Sequence, residues 1–272
     1  MDEIRIDGLR FFAHHGVFDF ETEQGQNFEL SAVLETDTRA AGWSDALEDS
    51  TSYADVAQLL HDELTRNTYK LLEAAAEHAC RAVLLHFPLI RAITLELHKP
   101  DAPIALDFQS VSVKIRRGWH TAYVALGSNL GDREKYLHDA LEALAQMPEI
   151  RLKKTSSLIV TVPYGGVEQD DFLNGVCEIE TLLAPEELLD RLHALEQAAG
   201  RERKIVWGPR TLDLDILLYD DLVQHTPTLT IPHIDMTNRD FVLRPLAEIA
   251  PYAVHPLEHK SALRLLRELE AR

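Results

Sequence analysis

Residues 207–219 read Trp-Gly-Pro-Arg-Thr-Leu-Asp-Leu-Asp-Ile-Leu-Leu-Tyr, and this run limits the possible folds more than any other part of the chain. Leu212, Leu214, Ile216 and Leu218 alternate with Asp213, Asp215, Leu217 and Tyr219. Period-two alternation marks a strand with one face in a core. Side chains two residues apart on a strand share a face and stand roughly 6.5 to 7 Å apart. The leucine face is expected to enter a core while Asp213 and Asp215 point together into a cleft. Neighbouring carboxylates repel unless a cation lies between them. Their hard oxygens suit Mg²⁺, which keeps waters and takes substrate phosphates as further ligands. A bare Asp-x-Asp is nevertheless a short pattern, and in most chains it marks only a solvated strand face.

The surrounding charge favours the metal. The formal net charge is −18, which argues against nucleic acid as a general partner, since such proteins carry a basic face. Yet Arg201, Arg203, Lys204 and Arg210 gather just before the two aspartates. A polyphosphate needs such donors, both to hold its oxygens and to offset charge that develops during transfer. The stretch Ala-Leu-Gly-Ser-Asn-Leu-Gly-Asp-Arg at 125–133 lacks the G-x-x-x-x-G-K-[ST] pattern, so a P-loop is rejected. It reads as a turn carrying Ser128 and Asn129, followed by a helix with Asp132 and Glu134 in its first turn.

With 272 residues the chain has room for one large domain or two modest ones, and its patterning divides in two. Phe28, Leu30, Ala32 and Leu34 alternate with polar or small residues, as do Ile93, Leu95 and Leu97, then Val111, Val113 and Ile115. These are half-buried strands. Between them Val56, Leu59, Leu60 and Leu64 recur at helical spacing, followed by Leu72, Ala75, Ala76, Ala79 and Val83. The order is two strands, two helices, two strands. A new strand starts at Thr121, a helix spans about Arg133 to Gln146, strands follow near Leu158 and at Asn174–Ile179, and a helix runs from Pro185 to Ala199. Both halves read as α+β, with a boundary near Gly118 giving domains 1–118 and 119–272. Cys80 and Cys177 sit in apolar contexts and read as buried free thiols. No apolar run approaches the roughly 20 residues of a membrane span. The opening MDEIRIDGLRFF has no basic-then-apolar leader pattern, so a cytoplasmic protein is expected.

The first half carries weaker marks. Glu73 opens a helix, where the dipole favours a carboxylate. Lys99 precedes a proline at a strand end, and Tyr53 stands at a helix start. Taken singly, these are ordinary structural placements. His14-His15 invites a zinc reading, but consecutive strand residues point to opposite faces, so the pair is expected to be structural or solvated.

Together the motifs carry two resemblances. The stretches at 125–133, Phe-Leu-Asn-Gly-Val at 172–176, the 207–219 run and IPHIDMTNRDFVLRPLAEIAP at 231–251 resemble the 6-hydroxymethyl-7,8-dihydropterin pyrophosphokinase family over nearly the whole second half. The resemblance implies a ferredoxin-like α+β domain. It implies Asp213 and Asp215 as ligands of two Mg²⁺ ions on the ATP phosphates, and Arg201 and Arg210 as phosphate and transition-state contacts. By the same resemblance Lys204, Trp207, His233 and Arg239 would belong to the ATP site, with Trp207 on a closing loop. The pterin would lie between Phe172 and Phe241, held by Asn174, with Thr161 and Pro163 lining its pocket, and ATP would leave as AMP. Where members of the family carry tyrosine, this chain has Phe172, which keeps the ring and loses a hydroxyl.

Residues 8–30, Ser52-Tyr53-Ala54-Asp55, Leu71-Leu72-Glu73 and Glu96-Leu-His-Lys-Pro100 resemble dihydroneopterin aldolase across the first half. That implies a tunnelling fold (a four-stranded antiparallel sheet with two helices on one face) assembled into rings. By position Glu73 would hold the pterin's guanidine-like edge and Lys99 would be the acid/base group, with Tyr53 assisting and Glu21 nearby. The family needs no metal or Schiff base, because the ring imine takes up the electrons. The product of this half is the substrate of the other, which points to a bifunctional folate-pathway enzyme. The competing reading is a pyrophosphokinase with a silent aldolase-like oligomerisation module. The expected assembly is a homo-octamer of two stacked rings of four.

Overall fold

The protein is described by a computed structural model covering residues 1–163, 169–200 and 208–272. Arg201, Arg203, Lys204 and Trp207 lie outside the described residues. The chain forms two compact units, Met1–Trp119 and His120–Arg272.

The first unit runs β1 (Asp2–Ala13), α1 (Asp19–Gln24), β2 (Gln26–Thr36), α2 (Arg39–Ser44), α3 (Tyr53–Arg66), α4 (Leu72–His86), β3 (Ala92–Lys99) and β4 (Val111–Gly118). Its sheet has the order β1-β2-β3-β4, antiparallel throughout. The expected alternation holds in β2 and β3: Phe28, Leu30, Ala32, Leu34, Ile93, Leu95 and Leu97 are all buried. They share the core with Val56, Leu60 and Leu64 of α3 and Ala75, Ala76, Ala79 and Val83 of α4. Ser52 caps α3 by accepting from Asp55 N at 3.3 Å, a bond that helps fix where this helix begins. Strand β4 departs from the pattern. It is a sheet edge, so Val113 and Ile115 remain only half-buried and Val111 is exposed.

The second unit runs β5 (His120–Ser128), α5 (Arg133–Gln146), β6 (Ile150–Thr155), β7 (Ile159–Thr161), β8 (Phe172–Thr181), α6 (Pro185–Ala198), β9 (Asp213–Tyr219), β10 (Gln224–His225), β11 (Thr230–Ile231), α7 (Asp240–Ile249), β12 (Val254–His255), β13 (Lys260–Ser261) and α8 (Ala262–Glu270). Its main sheet is ordered β6-β8-β5-β9, with β7 also on β8. Every pairing in it is antiparallel, which gives the ferredoxin-like arrangement. One sheet face packs Val124, Leu126, Leu173 and Leu214 against Leu137 and Leu144 of α5 and Leu188 and Leu192 of α6. The other packs Val176 and Leu217 against Val242, Leu243 and Leu246 of α7 and Leu265 and Leu266 of α8.

The alternation read along β9 holds only as far as Ile216. A register shift between Tyr123 and Val124 of β5 leaves one extra β9 residue, Leu217, opposite them. Leu218 therefore joins the α7/α8 core and Tyr219 the α5/α6 core, the reverse of the expected faces. Among the described residues no helix is long and apolar enough to cross a membrane.

Candidate active sites

In the second unit, Gly127 of β5 pairs with Asn174 of β8 on one side and Asp213 of β9 on the other. Cross-strand partners share a face, so amide and carboxylate point the same way. A Cβ at Gly127 would stand 2.9 Å from Asn174 Oδ1 and 3.9 Å from a ring carbon of Phe172. The bare glycine backbone is the floor on which these groups converge. Asn174 is buried and donates through Nδ2 to Thr161 Oγ1 at 2.7 Å. Pro163 lies two residues further on and is partly buried.

Asp213 accepts from Arg210 Nη1 at 2.7 Å, and the same guanidinium carbon lies 5.7 Å from the centre of the Phe172 ring. Asp215, one step along the same face and only half-buried, is shifted upward from the ordinary carboxylate value by desolvation and by the Asp213 charge. His233 brings Nε2 to 3.9 Å from Asp215 Oδ2. Burial pushes the His233 imidazole down despite Asp215 nearby. Its Nδ1 accepts from Asp235 N at 3.2 Å. Arg239 precedes α7, bonds Asp235 Oδ2 through Nε at 2.9 Å and lies 5.8 Å from the centre of the Phe241 ring.

Two positioning groups escape sequence reasoning. Asn129, read above as a turn residue, is buried and clips the backbone of Arg210: its Oδ1 accepts from Arg210 N at 2.7 Å and its own N donates to Arg210 O at 3.1 Å. Its Nδ2 reaches Gln169 Oε1 at 3.0 Å and Asp170 O at 3.1 Å. Glu196 of α6, also buried, accepts from Leu214 N at 2.8 Å. Strand β9 is the sheet edge, and this carboxylate satisfies an amide that no strand reaches. A cleft of about 410 Å³ bounded by Asn129, Gly131, Arg133, Val160, Asp170 and Asp171 adjoins the site but includes neither Asp213 nor Asp215.

In the first unit, Lys99 ends β3 and is buried, with Nζ 2.5 Å from Glu21 Oε1. Glu21 Oε2 accepts from Val17 N and Phe18 N, both at 3.1 Å, and Gln26 Nε2 reaches Oε1 at 3.3 Å. Burial alone would raise this carboxyl. The Lys99 ammonium and the Phe18 and Gln26 donors outweigh it and hold the group below its ordinary value. Glu73 and Tyr53 are not joined to this pair. Glu73 is exposed in the first turn of α4 and has no polar partner among the described residues, and Tyr53 is 68% exposed. His14 and His15 lie just past β1. His14 Nδ1 meets Thr22 O at 2.9 Å, while His15 is fully buried and accepts from Tyr69 N at 3.2 Å.

Residues 4–116 match the family model described as dihydroneopterin aldolase, and residues 123–251 match 7,8-dihydro-6-hydroxymethylpterin-pyrophosphokinase. The 2-amino-4-hydroxy-6-hydroxymethyldihydropteridine pyrophosphokinase of Haemophilus influenzae is 50% identical over 136 residues, covering 50% of this chain and 85% of that protein. The chain belongs to both families, one in each unit. The folic acid synthesis protein fol1 of Schizosaccharomyces pombe is 42% identical over 283 residues, covering 99% of this chain and 37% of its own length. The chain thus spans little more than a third of the multifunctional relatives it matches. The crystal structure of Escherichia coli dihydroneopterin aldolase with neopterin is 30% identical, with a TM-score of 0.41, covering 43% of this chain and all of that one. Within the pyrophosphokinase unit, Asp213, Asp215, Arg210, His233 and Arg239 converge: Arg210 on Asp213, His233 on Asp215, and Arg239 on His233 through Asp235. Within the aldolase unit only Lys99 and Glu21 do.

Proposed function

We propose that the protein catalyses two successive steps of folate biosynthesis. The aldolase unit cleaves 7,8-dihydroneopterin to glycolaldehyde and 6-hydroxymethyl-7,8-dihydropterin. The pyrophosphokinase unit then transfers pyrophosphate from ATP to that pterin and releases AMP.

In the first step a base takes the proton of the side chain's second hydroxyl, and the adjacent carbon–carbon bond breaks. Its electron pair passes into the ring imine, and protonation of the remaining carbon leaves the hydroxymethyl group. Lys99, held in place by Glu21, is the acid/base group, a role that fits a buried lysine locked to one carboxylate. Glu73 anchors the pterin's guanidine-like edge and Tyr53 assists. Both are exposed in the single chain, as a site completed between subunits requires, and the assembly that goes with this reading is the homo-octamer.

In the second step the pterin hydroxyl attacks the β-phosphorus, the bond to the α-phosphate oxygen breaks, and AMP departs. Asp213 and Asp215 fit a Mg²⁺ pair: two hard oxygen donors share a strand face, and a cation between them would offset the repulsion of the two carboxylates. Bound there, Mg²⁺ supplies charge neutralisation for the polyphosphate. Arg201, Lys204, Arg210, His233 and Arg239 hold the phosphates and nucleotide, and Trp207 closes over them. The pterin stacks between Phe172 and Phe241, with Asn174 reading its polar edge beside Thr161 and Pro163.

The observation that carries this reading is the single transverse row Asn174–Gly127–Asp213, which sets a pterin-matching amide beside a metal-matching carboxylate. Incubating purified protein with dihydroneopterin, ATP and Mg²⁺ tests it. Glycolaldehyde and AMP are expected together. AMP formed only when hydroxymethyl-dihydropterin is added would favour the reading with a silent aldolase module.

A further inference from the structure

Asp235 lies between two residues placed in the nucleotide site and touches both. Its backbone N–H donates to His233 Nδ1 at 3.2 Å, and its carboxylate accepts from Arg239 Nε at 2.9 Å. The remaining carboxylate oxygen accepts from Asn238 Nδ2 at 3.0 Å, which ties the group into its own turn, Met236–Asn238. That turn is anchored in turn to the strand bearing the aspartates, because His233 N donates to Leu217 O at 3.0 Å. The Asp235 carboxyl sits below its ordinary range: burial opposes this, but Asn238 and Arg239 prevail, so the group is an anion when it holds the guanidinium.

Each contact fixes a different degree of freedom. A ring nitrogen that accepts a backbone N–H must be unprotonated, so neutral His233 carries its proton on Nε2, the nitrogen facing Asp215 at 3.9 Å. The Nε of an arginine is the guanidinium nitrogen closest to the chain, so a bond there fixes the orientation of the plane. With Phe241 against that plane, Arg239 is located by a carboxylate at Nε and a ring at its face. Removing the Asp235 carboxylate takes away the bond at Nε and gives the guanidinium plane more freedom.

We propose that Asp235 is a positioning residue of the pyrophosphokinase site, pre-setting Arg239 and His233 for the nucleotide; this rests on the placement of those two residues in the ATP site given above. Its role is exerted through those two side chains.

The test is a double-mutant cycle on the full chain, read as equilibrium binding of Mg²⁺ with a non-hydrolysable ATP analogue by calorimetry. Asp235→Asn keeps the backbone N–H and the side-chain volume but removes the charge that holds Arg239. It is expected to weaken nucleotide binding roughly tenfold, the scale of one charge-assisted hydrogen bond. KM for ATP should rise more than kcat falls. Arg239→Ala is expected to weaken binding at least as much, and the double variant to bind no worse than Arg239→Ala, because Asp235 acts through that side chain. Asp235→Glu, which restores the charge, should recover part of the loss. An unfolding transition of the pyrophosphokinase unit unchanged in each variant by differential scanning calorimetry reports that the unit is folded, since aldolase turnover reads only the other unit. Unchanged binding in Asp235→Asn with weakened binding in Arg239→Ala overturns the proposal alone. So do fully additive losses. Unchanged binding in Arg239→Ala instead removes Arg239 from the nucleotide site, and the underlying reading falls with it.

Discussion

Asn174 and Asp213 occupy one transverse row of the pyrophosphokinase sheet, separated only by Gly127, so the amide proposed for the pterin and the carboxylate proposed for the metal rest on a single backbone floor. A methyl group at Gly127 would meet Asn174 Oδ1 at 2.9 Å. That atom ends a side chain that can swing away, so Gly127→Ala should fold normally. The amide must move, however, and its bond to Thr161 strains. KM for the pterin is expected to rise about tenfold, corresponding to roughly one lost hydrogen bond, with KM for ATP much less affected. Steady-state kinetics with each substrate varied separately checks this. An unchanged pterin KM would remove Asn174 from the pterin site.

Asp213→Ala or Asp215→Ala is expected to nearly abolish AMP formation while glycolaldehyde release persists. Removing one ligand from a two-metal phosphoryl site forfeits several kcal/mol of charge stabilisation. The aldolase pair Lys99–Glu21 lies in the other unit and keeps its partners. Paired assays of the two products decide it. Near-normal pyrophosphoryl transfer in either variant would falsify the metal assignment.

The mirror experiment is Lys99→Ala. Loss of a general acid/base slows the aldol step by about 10²- to 10⁴-fold, yet added hydroxymethyl-dihydropterin should still be pyrophosphorylated. Glu21 would be left buried without its cation, but it retains the Val17 and Phe18 amides, so the unit should be destabilised rather than unfolded. Differential scanning calorimetry together with both assays separates catalytic loss from collapse.

Acid should destabilise the aldolase unit through His15. Burial, with the Lys99 and His14 charges acting in the same direction, pushes this imidazole down from 6.5 to about 4. A group whose folded pKa is depressed contributes stability that is present above its unfolded value and is lost as pH falls toward the folded value. The contribution is therefore complete above pH 6.5 and drains away toward pH 4, to the extent of about 3 kcal/mol at most. His15→Asn, which keeps an acceptor near Tyr69 N but does not titrate, should flatten that slope in urea unfolding measured across this range. An equally steep slope in the variant would assign the acid sensitivity to other groups.

Association is expected through the aldolase unit. Phe18 and Phe20 stack at 5.7 Å while remaining 51% and 49% exposed, and the edge strand β4 begins at the exposed Val111. Apolar surface of this kind, next to an uncovered strand edge, favours contact with further copies. Light scattering should give an oligomer, and dilution to monomer should remove aldolase turnover while pyrophosphokinase turnover survives. A monomer with full aldolase activity contradicts a site shared between subunits.

The sequence alone determined the elements whose periodicity is enforced by one buried face. The alternation in 28–34 and 93–97, the helical repeats of α3 and α4, and the shared face of Asp213 and Asp215 follow from local geometry, because side-chain direction repeats with the backbone. Strand β6 was not legible: Ile150 and Leu152 alternate with Arg151 and Lys153 for only four residues before Lys154 and Thr155 break the pattern, too short a run to mark the strand that closes one edge of the sheet. The reversal of Leu218 and Tyr219 was also hidden, since a bulge is set by how β9 meets β5 rather than by the composition of either strand. Tertiary structure alone decided that Gly127 lies between Asn174 and Asp213, that Asn129 clips Arg210, and that Lys99 finds Glu21, 78 residues earlier in the chain. These are long-range pairings fixed by strand register and loop closure. A local pattern can say which way a side chain faces, but only the folded sheet decides what stands in front of it.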